Sequence, residues 1–330
     1  MAVAARVVVA ARAAVAATRS DLGALRWNFN GIDARGQPRA SFIFHGAILR
    51  AMDLATQDAR LKHLAGLAAE RAGAAPPSDT LLFRTLESLR MLVFPQLRGP
   101  THPGDELARE VVAGFDALIR EAFAACGLAV DATVADRFVA AIPAISARLA
   151  ADVRAAYDGD PAARNDLEIV VCYPGIRALA IHRFAHELDA MGVPLLPRMM
   201  AEHAHRDTGI DIHPRATIGD ALFIDHGTGV VIGETATIGH RCRIYQGVTL
   251  GAKNFDREAD GSMKRGYRRH PTLEDDVVVY AGATILGGDT VIGRGSVVAG
   301  GVFLTKSVPP GHVVTGPKVE LRVISMGGGI

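Results

Sequence analysis

From residue 209 onward the apolar positions recur at a fixed interval that suits neither an α-helix nor an alternating strand. Ile212, Ile218 and Ile224 open the series, Ile232, Ile238, Ile244 and Leu250 resume it, and Leu273, Val279 and Ile285 continue it. After a slip of a single residue it runs on through Ile292, Val298 and Leu304. The interval is six residues. It predicts a prism of three flat faces, each built from short parallel strands, with the anchors pointing inward and stacking coil upon coil at about 4.8 Å. Small residues at Gly219, Gly233, Gly239 and Gly293 are expected at the corners, where the backbone must turn sharply.

Upstream the pattern is helical. Apolar residues recur at three- and four-residue spacings in "ELAREVVAGFDALIREAFAACGL" and "IRALAIHRFAHELDAMG". Pro and Gly break the pattern at "GAAPPSD", "LRGPTHPGD", "YDGDPAARND" and "MGVPLLP", and the proline of "LFRTLESLRMLVFPQL" is expected to stop that helix. The predicted class is α+β: an α-helical domain over 1–205, a parallel β-helix over 206–318 with an excursion loop at 251–271, and a tail over 319–330.

Three interruptions break the six-residue rule. The step from Ile224 to Ile232 takes eight residues and contains "DHGTG" (225–229); the jump from Leu250 to Leu273 carries "GAKNFDREADGSMKRGYRRHPT"; the slip lies in "ILGGDTVIG". A repeat fold expels insertions from its wall as loops, often on the binding face.

Composition narrows the classes. The 330 residues hold 36 Lys+Arg against 35 Asp+Glu, a net charge of +1, so no general polyanion-binding surface is indicated and no nucleic-acid partner is expected. Cys126, Cys172 and Cys242 are odd in number and widely spaced, which fits a reducing, cytoplasmic compartment better than a disulfide framework. No apolar run approaches the roughly 18–20 residues needed to cross a bilayer. The opening "MAVAARVVVAARAAVAATRS" is interrupted by Arg6, Arg12 and Arg19, and is read as a helix or a frayed tail rather than a targeting segment.

From about residue 160 to residue 318 the motifs resemble those of the serine O-acetyltransferase family, in order: "DIHP" (211–214), "DHGTGVVIGETA" (225–236), "GVTLGA" (247–252), "RHP" (269–271), "VYAGATILGG" (279–288) and "SVPPG" (307–311). "YPGIRALAIHRFAH" (173–186) resembles the family's last helical segment before the β-helix, and the loop after Ala252 resembles the long-loop branch. The resemblance implies a left-handed β-helix of hexapeptide repeats, a homotrimer or dimer of trimers, and an acyl-donor groove between neighbouring prisms. It also implies acetyl transfer from acetyl-CoA to the hydroxyl of L-serine, the first step of cysteine biosynthesis, with no metal.

Acetyl transfer to a hydroxyl needs a base of near-neutral pKa, and a second group to orient the imidazole. The resemblance assigns these roles to His226 and Asp211; a backbone N–H near Gly251, in the glycine-rich "TLGA" segment, is the candidate oxyanion donor. Asp160 and Asp225 would hold the substrate ammonium, Arg269 its carboxylate, and His270 would hydrogen-bond nearby. Gly251, Ala252, Ala281, Gly282, Gly300 and Gly301 would let the pantetheine arm of coenzyme A lie against backbone. The loop sets Lys253, Arg257, Lys264, Arg265, Arg268 and Arg269 against Asp256, Glu258 and Asp260, a local excess of +3. That excess reads either as a phosphate attractor or as scattered solvated charge.

Other readings stand beside this one. A sugar or another amino acid as acceptor keeps the chemistry and changes the substrate. A γ-class carbonic anhydrase would use His226, His240 and His270 on zinc, but the spacing does not fit and Asp211 and Arg269 would have no task. His203, His205 and His213, and the pair His182 and His186, are read as structural. A partner-binding role is the third class: Gly329 and Ile330 match the family's C-terminal ending, which enters the active site of O-acetylserine sulfhydrylase.

Overall fold

The computed structural model describes residues 61–62, 75–98 and 103–317. The chain divides into two units, Met1–Arg71 and Ala72–Ile330; in the first only residues 61–62 are described, both helical. The expectations for the N-terminal 20 or so residues and for Gly329 and Ile330 lie outside the described residues.

In the second unit the helices come first: α1 (Asp79–Val93), α2 (Gly104–Ala125), α3 (Val134–Gly159), α4 (Asp166–Cys172), α5 (Pro174–Ala190) and α6 (Leu196–Thr208). The Ser78 side chain caps α1, and Pro95 opens a 3₁₀ turn immediately after it, as the sequence pattern implied. One expectation is corrected. "YPGIRALAIHRFAH" lies in α5, but α6 follows it before the first strand, because "VPLLP" is a turn that puts Pro197 in the first turn of a new helix.

Strands β1 (Asp211–Ile212), β2 (Thr217–Ile218) and β3 (Phe223–Asp225) form the first coil. They are followed by β4 (Val231–Ile232), β5 (Thr237–Ile238), β6 (Arg243–Tyr245), β7 (Thr249–Gly251), β8 (Thr272–Leu273) and β9 (Val278–Val279). The series ends with β10 (Thr284–Leu286), β11 (Val291–Ile292), β12 (Val297–Val298), β13 (Phe303–Leu304) and β14 (Val313–Val314). Three parallel sheets result: β1-β4-β7-β10-β13, β11-β8-β5-β2 and β14-β12-β9-β6-β3. This is a parallel β-helix of about five turns. The registers stack Ile212 on Ile232 and Leu250, and Ile224 on Ile244 and Val279. The six-residue anchors are buried, save Leu304, which is half-buried near the far end.

The corner glycines act differently from expectation. Gly219, Gly239 and Gly293 are outside the positive-φ set. They are small because the next coil lies on them: a Cβ on Gly219 would stand 2.7 Å from the Gly239 carbonyl, and one on Gly293 2.4 Å from the Pro310 nitrogen. The left-handed residues instead form two ladders. Ala221, Arg241, Asp276, Gly295 and Gly311 mark the edge between the second and third faces. At the edge between the third and first faces Gly229, Gly247, Gly282 and Gly301 have φ of 78°, 71°, 70° and 68°. Their N–H groups donate to the carbonyls of Gly209, Thr228, Gln246 and Ala281 at 2.8–2.9 Å.

The prism is plugged from below. Ala178 and Leu179 of α5 join its core, and a Cβ on Gly175 would stand 2.3 Å from the Ile224 carbonyl. The first coil has no coil beneath it, and helix side chains satisfy its lower backbone groups. Arg183 Nη2 donates to the Gly219 carbonyl (2.9 Å), Arg148 Nη2 to that of Ile218 (2.6 Å), and the Leu222 N–H donates to Asp152 Oδ1 (3.0 Å). Asp152 and Arg183 themselves form a two-pronged ion pair at 2.6 and 2.7 Å with side chains 0% and 1% exposed.

The excursion leaves after β7 and returns at β8, at the edge between the first and second faces. The one-residue slip lies one coil above that point. A Cβ on Gly288 would stand 2.5 Å from the Arg268 carbonyl, and Gly287, at φ 107°, donates its N–H to the Gly251 carbonyl. The extra residue therefore makes room for the returning loop. Among the described residues no helix is long and apolar enough to cross a membrane.

Candidate active site

The "DHGTG" step sits on the edge between the third and first faces. Its two extra residues bulge outward in a tight turn, closed by the Gly227 N–H donating to the Asp225 carbonyl at 2.6 Å. His226 is the middle residue of that turn, at φ 55°, and its side chain is 72% exposed. A non-glycine residue in this region carries strain, which here throws the imidazole clear of the wall. Asp225 ends β3, and its Oδ1 lies 3.8 Å from His226 Nδ1. From below, the C-cap of α3 brings in Asp160, whose Oδ2 accepts a 2.5 Å hydrogen bond from the Tyr173 hydroxyl and whose Oδ1 accepts from the Ala162 N–H at 2.8 Å. The Tyr173 bond, with the Ala162 N–H and the His226 charge, holds the Asp160 carboxyl below the usual range.

Asp211 opens β1 on the first face, its backbone N–H bonded to the Val230 carbonyl at 2.9 Å. Its carboxylate lies within 4.8 Å of the ligating atoms of Glu202 and His205, and among the described residues no hydrogen bond joins it to His226. Above His226 on the same edge stand Ala281, Gly282, Gly300 and Gly301, in line with the glycine ladder. Beside them the rings of Tyr245 and Tyr280 stack at 5.0 Å, with Tyr245 in register with Asp225 one coil below.

The remaining candidates gather on the next edge, between the first and second faces. Gly251 closes β7, and Ala252 starts the excursion. His270 lies flat on Gly233, where a Cβ would come within 2.1 Å of the ring. Its Nδ1 accepts from the Thr235 N–H at 3.1 Å, so the neutral ring carries its proton on Nε2. Thr235 Oγ1 accepts in turn from the backbone N–H groups of Arg269 and His270. Arg269 Nη2 reaches Glu234 Oε2 at 2.5 Å, while Arg215 holds Glu234 Oε1 at 2.9 Å. Glu234, Thr235, Tyr173 and Tyr245 all lie inside or beside the motifs quoted above, yet none stands out in the sequence. Only the fold shows that the first three grip charged residues or His270 and that Tyr245 stacks on Tyr280.

Asp160, Asp225 and His226 thus form one group, and Gly251, Ala252, Arg269 and His270 another, with Asp211 on the face between them. The zinc set imagined from the sequence does not converge within one chain. His226, His240 and His270 fall on three different edges, and the His240 Nδ1 is occupied by the Asp220 N–H at 3.0 Å.

Burial, reinforced by the Arg269 charge, pushes the His270 imidazole down to about 4. Burial lowers His182, His203 and His213 in the same direction. Below the ordinary histidine value of about 6.5 the unfolded chain takes up protons that these folded rings refuse. Stability is therefore full above about pH 6.5 and declines as the pH falls from there toward about 4. Urea midpoints are expected to fall across that window; a flat midpoint would show that these rings gain no protons on unfolding.

No family model matches the chain. It is 56% identical over 193 residues to a plasmid-encoded serine acetyltransferase of Synechococcus elongatus, covering 58% of this chain and 60% of that relative's length. Serine acetyltransferase 1 of Entamoeba histolytica, solved in complex with L-cysteine, superposes with a TM-score of 0.63 at 38% identity, covering 70% of this chain and 85% of that one. The serine acetyltransferase of Neisseria gonorrhoeae, solved in complex with serine, superposes with a TM-score of 0.51 at 28% identity, over 69% of this chain and 79% of that one. At 38% identity to a solved relative of which 85% is covered, the chain belongs to the serine acetyltransferase family.

Proposed function

We propose that the protein transfers acetyl from acetyl-CoA to the hydroxyl of L-serine, giving O-acetyl-L-serine and coenzyme A. The observation that carries this reading is the outward turn of "DHGTG", which sets an exposed imidazole beside the carboxylates of Asp225 and Asp160. His226 takes the hydroxyl proton as the oxygen attacks the thioester carbon, and returns it to the departing thiolate. Asp211 orients and stabilises the imidazolium once substrate closes the site, since such hydrogen bonds are often long before substrate arrives. Asp160 and Asp225 receive the ammonium group. Arg269 keeps guanidinium N–H groups free of Glu234 for the carboxylate, and His270 offers its Nε2 proton. An N–H near Gly251 meets the oxyanion.

The base and the clamp stand on different edges of one prism, so one acceptor meets both where the edges of two prisms face each other. That supports a trimer with the site at each seam and the pantetheine arm lying along the glycine-lined walls. The serine and L-cysteine complexes of the two solved relatives favour an amino-acid acceptor over a sugar. The test is release of free coenzyme A by the full chain with acetyl-CoA and L-serine, beside a panel of other amino acids and sugars. Serine-dependent release is expected; release with a sugar and none with serine would assign a different acceptor.

A further inference from the structure

We infer that Tyr173 is a positioning residue for the acceptor amine, its hydroxyl holding the Asp160 carboxylate in place beside Asp225 and His226. This rests on the serine O-acetyltransferase reading and adds to it a residue outside the acid, base and arginine set.

Tyr173 is the N-cap of α5, in extended conformation at φ −83° and ψ 116°, and Pro174 follows at the first helical position. Proline disfavours the helical conformation at the residue before it, which holds Tyr173 extended and outside the helix, with its hydroxyl on Asp160. Two residues on, Gly175 packs so closely on the Ile224 carbonyl that a Cβ would stand 2.3 Å from it. Ile224 is the neighbour of Asp225, so the first turn of α5 is held in register with the strand that carries the second carboxylate.

Asp160 lacks such support of its own. It lies at the end of α3, where the chain turns away, and among the described residues only the Ala162 N–H on Oδ1 and the Tyr173 hydroxyl on Oδ2 hydrogen-bond its carboxylate. A phenol suits the task chemically. It donates a hydrogen bond without bringing positive charge, so the carboxylate stays oriented and its anion stays available for an ammonium group. A lysine or arginine there would neutralise the charge the substrate needs. The groups facing the pair are His226 toward Asp160, and Asp225 and Glu168 toward Tyr173. Burial, then the bond to Asp160, pushes the Tyr173 phenol well up, so it remains a donor throughout the working range.

The test compares the full-length chain with Tyr173→Phe, Asp160→Asn and the double variant, following coenzyme A release while L-serine and acetyl-CoA are varied separately. Loss of a hydrogen bond to a charged group is expected to raise the KM for serine about tenfold, with kcat and the KM for acetyl-CoA held within about twofold. In the Asp160→Asn background the same change is expected to add less than about twofold, the mark of two residues acting as a unit. The acid limb of kcat/KM for serine is expected to move to higher pH in Tyr173→Phe, because Asp160 loses the donor that favours its ionised form. Additive losses, or a rise shared by both substrates' KM values and accompanied by a lower unfolding midpoint, would mark a general structural role and overturn the assignment. Unchanged serine kinetics in an active Tyr173→Phe chain would overturn it alone. A wild-type chain that releases no coenzyme A with serine would overturn the acceptor reading, and this assignment with it.

Discussion

Replacing His226 by alanine is expected to lower serine-dependent coenzyme A release by about 10²- to 10⁴-fold, the usual worth of a positioned general base. The loss should fall mainly on kcat, since in the proposed mechanism the imidazole acts as the hydroxyl proton moves and other groups hold the ammonium. The fold gives good reason to expect a clean result. The side chain is 72% exposed and on an outward turn, so its removal opens no cavity. One complication is local: residue 226 has φ 55°, a conformation alanine dislikes, so an altered turn could mimic a lost base. His226→Asn controls for this, because asparagine tolerates the left-handed region yet cannot serve as a base at neutral pH. Both variants inactive with wild-type unfolding midpoints is the expected pattern. An asparagine variant that retained full turnover would remove His226 from the mechanism.

The largest effect on stability is expected at Asp152, far from the chemistry. Asp152→Ala strips a fully buried carboxylate from Arg183 and leaves the Leu222 N–H without its acceptor. Breaking one side of such a pair costs about 3–5 kcal/mol, because the remaining charge stays buried and uncompensated. In a unit of this size that corresponds to a fall of roughly 6–20 °C in Tm. Denaturant midpoints give the direct measure. Asp158→Ala is the natural comparison, since the Arg154–Asp158 pair has the same charges but side chains 65% and 57% exposed; little or no change in the midpoint is expected there. Equal effects at the two sites would show that the junction does not depend on its ion pair.

The prism was legible in the sequence because a β-helix repeats one physical requirement, an aliphatic residue facing inward, at every coil. Within each uninterrupted run the anchors from Ile212 to Val298 follow from that interval. The interruptions were legible for the same reason: against a regular wall, "DHGTG" and the segment after Ala252 stand out. What grips the charged residues was not legible. Glu234 and Thr235 are ordinary polar residues in a corner, and their hold on Arg269 and His270 comes from coils far apart in sequence. Tyr173 reaches Asp160 only because Gly175 seats α5 on β3. The corner glycines illustrate a subtler limit. Their smallness could be read from the sequence, but whether it served a left-handed turn or the close approach of the coil above is a property of stacking.

The plug of helices beneath the first coil has a consequence for how the molecule behaves in a crowded solution. A parallel β-helix grows by adding identical rungs, and a bare rung is a template on which any like rung can continue, in the same chain or in another. Here the lowest rung offers no such template. Its carbonyls at Ile218 and Gly219 and its N–H at Leu222 are already engaged by Arg148, Arg183 and Asp152, and Leu179 closes the bore. The helices that bring Asp160 beneath the "DHGTG" turn thereby also act as a terminator, making a fold that could polymerise end to end into one of finite length.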